Sequence, residues 1–323
     1  MKIEEIHKIV EGKKDVWNEE KQVWEKGIKK IILKLKIGLA LVGISYIIFT
    51  IVIFKLFNCD IITSLGLGFL ISVFLGIIFF ALWVIRNGEP IDDDDTNAMN
   101  SITPKYVSEY CDILAKGISS RLSYESFWTE CEAAVRNSKM IYGDSISNYK
   151  NIFGEFDRCF FKMGEIRVNR NTIDSDGDRK TEEVFKGIFA ECKLRKGYDF
   201  DLNIFSQNNT NKMNEKFQCS LENTILDSIE FEKYYEVYSN DKVKTLQVLT
   251  AEIMGQLIDL RINNNRNLNI SLRDDVLYIA LSHQKLFLNI DKYDFENVKE
   301  DYINLKQILK VIKFVLSMFD VLD

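Results

Sequence analysis

The sequence predicts an α+β protein in which an N-terminal helix and a two-span transmembrane hairpin precede a mixed helix and antiparallel-sheet cytosolic domain. Two long apolar runs, 37–57 and 61–85, are separated by three residues. Further along the chain, 160–171 and 181–193 alternate polar and apolar residues, which is the period of a half-buried strand. The segment 295–321 is apolar and long enough for a final helix. The chain therefore combines membrane-like runs with both helical and strand-like patterns.

Residues 1–36 are predicted to form a cytosolic amphipathic helix, because they lack proline and carry one apolar stripe. The stripe repeats every seven residues at Ile3, Val10, Trp17, Trp24 and Ile31. This spacing is typical of a coiled-coil seam, but the matching d positions are mostly polar. Three interpretations stay open: packing on the protein's own cytosolic domain, contact between copies, and lying on a bilayer surface. Trp17 and Trp24 are candidate interaction residues.

Residues 37–86 are predicted to be a transmembrane hairpin, because each apolar run exceeds the roughly 20 residues that a spanning helix needs. Positive charge is retained on the cytoplasmic side of such spans. Six lysines lie close before the first span: Lys21, Lys26, Lys29, Lys30, Lys34 and Lys36. Only Lys55 lies near the short connection. We therefore expect a location in the cell (inner or plasma) membrane, two spans with both termini cytoplasmic, and the lipid bilayer as one partner.

An acidic linker, 87–103, is predicted to lead into a cytosolic α+β domain, 104–323. Thr103 and Pro104 are typical of a helix start. Predicted helices lie at 104–114, 127–140, 245–262 and 295–321, and predicted strands lie at 160–171, 181–193, 199–206, 229–238, 268–273 and 276–282. The last two strands are joined at Asp274 and Asp275 as a tight hairpin. The domain is thus expected to contain several antiparallel strand pairs.

Composition argues against several classes of function. The net charge of −6 argues against nucleic acid as a partner, because nucleic-acid binding depends on clustered positive charge. The six cysteines are scattered without metal-ligand spacing, so all except Cys59 are expected to be reduced core residues. Asp174, Asp176 and Asp178 alternate as in a calcium loop, but Phe185 stands where a bidentate Glu is needed. No catalytic residue, metal or cofactor is therefore predicted.

The most conspicuous polar motif is the segment 230–241. On a strand, alternate residues share one face, and that face carries the candidate interaction residues Glu232, Tyr234, Glu236 and Tyr238. Paired carboxylates with tyrosines could bind a cation or do acid/base work. The alternative is an amphipathic strand with solvated glutamates, whose turn caps the next helix.

Several segments of the chain resemble those of a known protein family. The segments 185–189, 229–241, 249–254 and 275–280 occur in the order and spacing of bacterial membrane proteins with domain-of-unknown-function family 3137. The resemblance covers roughly 149–289. It implies a tethered α+β domain behind a short transmembrane hairpin. It implies no catalytic residue, because the family has no established activity.

Two classes of function remain. The first is a non-enzymatic, membrane-anchored module whose cytosolic domain binds a protein partner, a second copy (a homo-oligomer) or a small ligand. The alternative is a membrane effector, whose cytosolic domain senses a ligand or a partner, by ligand binding or oligomerisation, and rearranges the hairpins to perturb the bilayer. An enzyme is the least favoured class, because the sequence offers recognition surface but no catalytic set. The expectation is a binding module that is not an enzyme.

Overall fold

The computed structural model describes residues 2–57, 105–156, 158–173, 179–207, 221–264, 267–282 and 297–319. Its helices are α1 (Ile3–Phe57), α2 (Lys105–Ile118), α3 (Cys131–Ser138), α4 (Ile229–Glu232), α5 (Lys242–Val248), α6 (Ala251–Asn264) and α7 (Val298–Phe319). Its strands are β1 (Leu122–Glu125), β2 (Ser145–Phe156), β3 (Cys159–Ile173), β4 (Arg179–Lys193), β5 (Leu202–Ser206), β6 (Glu222–Asn223), β7 (Tyr235–Ser239), β8 (Leu268–Arg273) and β9 (Val276–Ser282). Helices and an antiparallel sheet therefore occur together, which confirms the predicted α+β class.

The chain divides into two compact units. One contains residues 1–13 together with 107–323, and the other contains residues 14–106. In the first unit, Ile6 and Val10 are 0% exposed, and Lys13 forms an ion pair with Glu109 of α2. The first turns of α1 therefore pack in the same unit as the sheet, which agrees with one of the three interpretations of the N-terminal stripe.

The structure corrects the prediction of two membrane spans. Residues 37–57 form the C-terminal part of α1, a helix of 55 residues that continues without a break from the charged N-terminal segment. Across the part of the chain that the structure describes, none of the helices combines the length and the apolar character needed to cross a membrane. This finding overturns the predicted transmembrane hairpin and the predicted two-span location in the cell membrane. The second predicted span, 61–85, and the acidic linker, 87–103, lie outside the described residues.

The described strands form a nine-stranded sheet in the order β1-β2-β3-β4-β9-β8-β5-β7-β6. Its neighbouring strands pair antiparallel throughout. The longest pair is β3 with β4, which confirms the predicted strands at 160–171 and 181–193. The β8–β9 hairpin confirms the predicted ends at Arg273 and Val276. Asp274, in the connection, has a φ of 49°, a conformation that Asp tolerates better than most residues do.

Both faces of the centre of the sheet are buried. In β9, Tyr278 and Ala280 belong to the apolar cluster that also contains Val135 of α3. The alternate residues Leu277 and Ile279 are buried as well. Because alternate side chains of a strand point to opposite faces, β9 lies between two apolar layers. Helix α7 contacts β9 and supplies a long apolar stripe, with buried positions three or four residues apart.

Several predicted elements differ from the structure. The segment 229–238, predicted as one strand, is the short helix α4 followed by a turn and β7. Ser228 causes the difference, because its side chain accepts a hydrogen bond from Phe231 N and caps α4. The predicted helix 245–262 is two helices, α5 and α6, since Leu249 adopts a ψ of 69° that interrupts the helical path. Strands β1, β2 and β6 were not predicted.

The described cysteines are buried thiols, as predicted for core residues. Four free cysteines lie inside the first unit: Cys111, Cys131, Cys159 and Cys192. Burial raises the pKa of the Cys111 and Cys192 thiols well above the ordinary range, and it raises the pKa of Cys131 to about 12. A raised pKa lowers the fraction of thiolate, which is the reactive form.

We therefore expect iodoacetamide at pH 8 to leave these four cysteines unmodified in the folded protein. Peptide mapping by mass spectrometry measures the extent of labelling at each position, and the urea-unfolded protein is the control in which all four react. Raising the pH from 7 to 9 should change little at Cys111, Cys131 and Cys192, because both values lie below their raised pKa values. Rapid labelling of Cys111 in the folded protein would contradict this expectation.

Candidate functional site

The candidate site lies at the β6 end of the sheet. Strand β6 pairs with β7 only through Glu222 with Ser239 and Asn223 with Tyr238. Strand β7 continues for three more residues, Tyr235 to Val237, beyond this pairing. The next contact is a single hydrogen bond, which Thr224 N donates to Val237 O at 2.8 Å. Most of the outer edge of β7 is therefore not covered by β6.

The direction of the main-chain groups along β7 follows from two bonds to β5 and its flanking residues. Gln207 N donates to Tyr234 O at 2.8 Å, and Asn240 N donates to Asp201 O at 3.4 Å. The even-numbered residues of β7 therefore pair toward β5. In an antiparallel strand, the N–H and C=O groups of one residue point to the same side, and this side alternates along the strand. Tyr235 and Val237 consequently direct their main-chain groups away from β5, toward the outer edge.

These groups border a cleft. Its volume is about 280 Å³, and its lining includes Gln207, Thr224, Glu232, Tyr235, Glu236 and Val237. Within the described residues, no main-chain hydrogen bond is recorded for Val237 N–H or Tyr235 C=O on this side. Pockets for small molecules are usually larger, about 300–1,000 Å³, and mostly apolar. The size and the polar lining of the cleft are better suited to one side chain of a larger ligand.

One wall of the cleft is the turn that ends α4. Glu232 Oε1 accepts a hydrogen bond from Leu226 N at 3.0 Å, and Glu232 O accepts one from Gln207 Nε2 at 2.9 Å. Phe231 stacks on Tyr235 with ring centroids 5.0 Å apart. The turn is therefore fixed on three sides, and it holds the Glu232 carboxylate at the cleft.

The second wall is β7 itself. The Tyr235 hydroxyl donates to Leu257 O at 3.1 Å, and burial raises the pKa of this phenol above its ordinary value. The Tyr238 hydroxyl donates to Glu236 Oε2 at 3.1 Å. The pKa of Tyr238 is raised as well, mainly because the phenol is partly buried and next because of the negative charge of Glu236. Both tyrosines therefore act as neutral hydrogen-bond donors that orient the strand and the Glu236 carboxylate.

The charge of the cleft is one-sided. Glu232 and Glu236 are carboxylates, and the lining residues that the structure describes include no lysine, arginine or histidine. A smaller cavity of about 170 Å³ shares Asn223, Thr224 and Ile225 with the cleft, and it contains Lys242 as well as Glu222. The smaller cavity therefore has balanced charge, whereas the cleft favours a positively charged group.

The structure brings together only part of the predicted interaction set. Glu232 and Glu236 line the cleft, and Tyr238 binds Glu236. Tyr234 lies in the turn, where its carbonyl accepts from Gln207 N. On α1, in the other unit, Trp17 is 1% exposed and Trp24 is half-buried. Their predicted role in interaction stays a prediction.

Sequence reasoning missed the role of Gln207 and Thr224, which approach β7 from earlier parts of the chain. No local pattern marks either residue. The turn itself had a signal, because Ser228 is a good helix cap and acidic residues follow it in the first turn. The alternating pattern of 229–238 predicted a strand there, so the helix cap at Ser228 was not recognised.

Across the described ranges, no group of three or more His, Cys, Asp and Glu residues could hold a metal ion. The alternating aspartates at 174–178 lie outside the described residues.

A family model described as "Protein of unknown function (DUF3137)" matches residues 183–317. This confirms the predicted family resemblance in part, with a match that begins and ends later than 149–289. The match supports neither the bacterial nor the membrane part of the prediction. The cleft lies inside the matched region.

One solved structure is similar to the chain: the crystal structure of the mycobacterial trehalose monomycolate transport factor A. It is 10% identical, the match covers 68% of this chain and 99% of that one, and the TM-score is 0.36. No curated protein matches the chain. Neither similarity transfers a function.

Proposed function

We propose that the protein is a non-enzymatic binding module that takes an extended segment of a protein partner along the outer edge of β7. The observation that carries the proposal is the orientation of Val237 N–H and Tyr235 C=O toward the cleft. An extended peptide can add to a sheet edge through such main-chain groups, while side-chain pockets beside the edge provide specificity.

The geometry of β7 and β6 supports this mode of binding. The sheet already continues past β7 through β6, and a peptide beside Tyr235 to Val237 would extend the same layer where β6 ends. Natural proteins usually protect long exposed edges, because open edges pair with other chains. Here the stretch of β7 that lies beyond the β6 pairing is three residues long, which is enough for a few specific hydrogen bonds.

The walls of the cleft support the proposal further. Since α4 and Tyr235 are fixed by hydrogen bonds and stacking, the partner would meet a preformed surface. Preformed surfaces lose less conformational entropy on binding. The cleft would then receive one side chain of the added segment.

The proposal is tested by affinity selection of phage-displayed random octapeptides on the immobilised full chain. The best peptide is then measured by fluorescence anisotropy against two variants. Val237→Pro removes the outward N–H but no bond to β5, because that N–H points away from β5. Losing about 1.4 kcal/mol of hydrogen bonding corresponds to a roughly tenfold weaker Kd.

Val237→Ala is the matched control, since it shortens the same buried side chain and keeps the N–H group. We expect its Kd to stay within about threefold of the unchanged protein, provided that circular dichroism shows both variants folded. Equal peptide affinity of a folded Val237→Pro variant would contradict binding along this edge. Failure of the full chain to enrich any peptide would contradict the proposed function itself.

A further inference from the structure

One face of helix α1 carries large apolar side chains that are exposed. Six exposed residues, together called the α1 stripe, form this face: Leu33, Ile37, Ala40, Ile44, Ile47 and Ile51. Its leucine and isoleucines are 42% to 59% exposed. Contiguous exposed apolar surface is a mark of interaction sites. We infer that the α1 stripe binds the same stripe of a second copy of this chain, with the two helices antiparallel.

The spacing of the α1 stripe fits a helical partner. Its members lie alternately four and three residues apart along the chain. This alternation is the heptad repeat, which keeps an apolar seam facing another helix along its length. The seam begins at Leu33, because Lys26 and Lys30, the two preceding positions of the repeat, are charged. It is about 28 Å long, since a helix rises about 1.5 Å per residue. The partner therefore needs an apolar helix face of the same repeat and length.

A second copy supplies such a face, and the two stripes fit best in the antiparallel direction. One register aligns all members of the stripe, and it pairs Leu33 with Ile51, Ile37 with Ile47, and Ala40 with Ile44 between the copies. The small side chain of Ala40 then lies opposite an isoleucine. A parallel pair would place Ala40 opposite Ala40 and leave a gap in the seam, and such gaps destabilise a packed interface. The antiparallel direction therefore makes the stripe complementary to itself.

The charges beside the α1 stripe favour the same direction. Four lysines lie around its start: Lys29, Lys30, Lys34 and Lys36. The residues that follow the stripe in α1, 52–57, include one lysine, Lys55. A parallel pair would bring both sets of four lysines together, whereas an antiparallel pair separates them by nearly the length of the seam. That separation exceeds the screening length of roughly 8 Å at physiological salt. Antiparallel pairing therefore avoids most of the repulsion between the copies.

The first experiment measures self-association of the full chain by sedimentation velocity. We expect a dimer at about 50 μM, a concentration above a micromolar Kd. Ile47→Lys should raise the Kd of the dimer at least about tenfold, because it places an ammonium group in the apolar seam of each copy. Lysine favours a helix at least as strongly as isoleucine does, so this variant should keep α1 intact. Circular dichroism checks its helix content.

Ile32→Lys is the matched control. Ile32 lies on the same helix and is 46% exposed, but it is outside the α1 stripe. The Kd of this variant should stay within about threefold of the unchanged chain, because substitutions at exposed positions outside a contact have small effects. An unchanged chain that is monomeric at the same concentration would overturn the inference. Equal weakening of the dimer by both lysine variants would overturn it as well.

The second experiment tests the antiparallel direction with charges at positions 37 and 47. These two positions meet between antiparallel copies, whereas in a parallel pair each position meets itself. The opposite-charge variant is Ile37→Glu with Ile47→Lys, and the two like-charge variants are Ile37→Lys with Ile47→Lys and Ile37→Glu with Ile47→Glu. We expect the opposite-charge variant to dimerise at least about tenfold more tightly than either like-charge variant, because like charges that face each other across an interface repel strongly.

An effect of net charge alone would give a different order. The opposite-charge variant has a net charge between those of the two like-charge variants, so net charge alone would place its Kd between theirs. That intermediate order, or equal Kd values for all three variants, would overturn antiparallel pairing through the α1 stripe. Neither result would affect the proposed function, because β7 belongs to the first compact unit and the α1 stripe to the second.

Discussion

Replacing Ile6 with alanine is expected to lower the free energy of unfolding of the first compact unit by about 2–4 kcal/mol. Ile6 lies on α1 far before the sheet in sequence, yet it is 0% exposed and belongs to the same unit as residues 107–323. Truncating a buried isoleucine loses its transfer free energy and leaves a cavity that the surroundings fill only in part. Urea unfolding of the full chain, followed by circular dichroism, measures the loss.

Ile9→Ala is the matched control. Ile9 lies on the same helix, less than one turn away, but is 37% exposed. The same truncation there should cost less than about 1 kcal/mol, because surface truncations cost little. If both variants were equally stable, the first turns of α1 would contribute nothing to the unit, and the N-terminal helix would have to be regarded as separate from it.

This result bears on where the folded unit begins. The sequence predicts a domain at 104–323, whereas the compact unit also contains residues 1–13. A fragment that starts at residue 104 would lack Ile6, Val10 and the Lys13–Glu109 ion pair. We expect it to be less stable than the full unit by roughly the sum of those losses.

The parts of the fold that the sequence predicts best have a regular local pattern. In the β8–β9 hairpin, β8 alternates apolar and polar residues, β9 is a short continuous apolar run, and two aspartates lie at the turn between them. Its ends could be read from the residues alone. Strand β2 was missed because its register shifts between Tyr149 and Ile152, which interrupts the alternation. Lys150 lies at this shift with a φ of 53°, and no sequence pattern announces such a bulge.

The candidate site could be predicted only in part for a similar reason. Glu232 and Glu236 were selected because they fall on one face of a presumed strand. They line the cleft for another reason, since Glu232 ends a capped helix and Glu236 belongs to the strand that follows. The cleft also needs Gln207 and Thr224, which become neighbours of β7 only through pairing between distant segments. Such contacts depend on the topology of the sheet.

Replacing Lys150 with methionine is expected to lower the free energy of unfolding by about 3–5 kcal/mol. This is the second large effect that we expect. Lys150 Nζ lies 3.6 Å from Glu165 Oε2, and the two side chains are 11% and 6% exposed. Removing the cation deprives the buried Glu165 carboxylate of this ion pair, and the desolvated charge accounts for the lost stability. Methionine has a similar length and also has a Cβ, so the backbone strain at φ 53° is unchanged.

The double variant Lys150→Met with Glu165→Leu should recover most of this loss, to within about 1 kcal/mol of the unchanged protein. Replacing a whole buried pair with apolar side chains of similar volume is often neutral. The coupling energy between the two positions is the difference between the double variant and the sum of the single variants. Urea unfolding of all four proteins supplies the values for this cycle.

An exposed pair on α3 provides the comparison. Arg136 and Glu132 form an ion pair at 2.7 Å, with side chains 46% and 60% exposed. Removing this ion pair should lower the free energy of unfolding by only about 0.3–0.5 kcal/mol, because solvent screens the two charges and the residues lie one helical turn apart. If Lys150→Met cost no more than this surface variant, or if the double variant were as unstable as the sum of its parts, then Lys150 and Glu165 would not act as one buried pair. The bulge in β2 would then need an explanation other than the placement of the Lys150 ammonium beside Glu165.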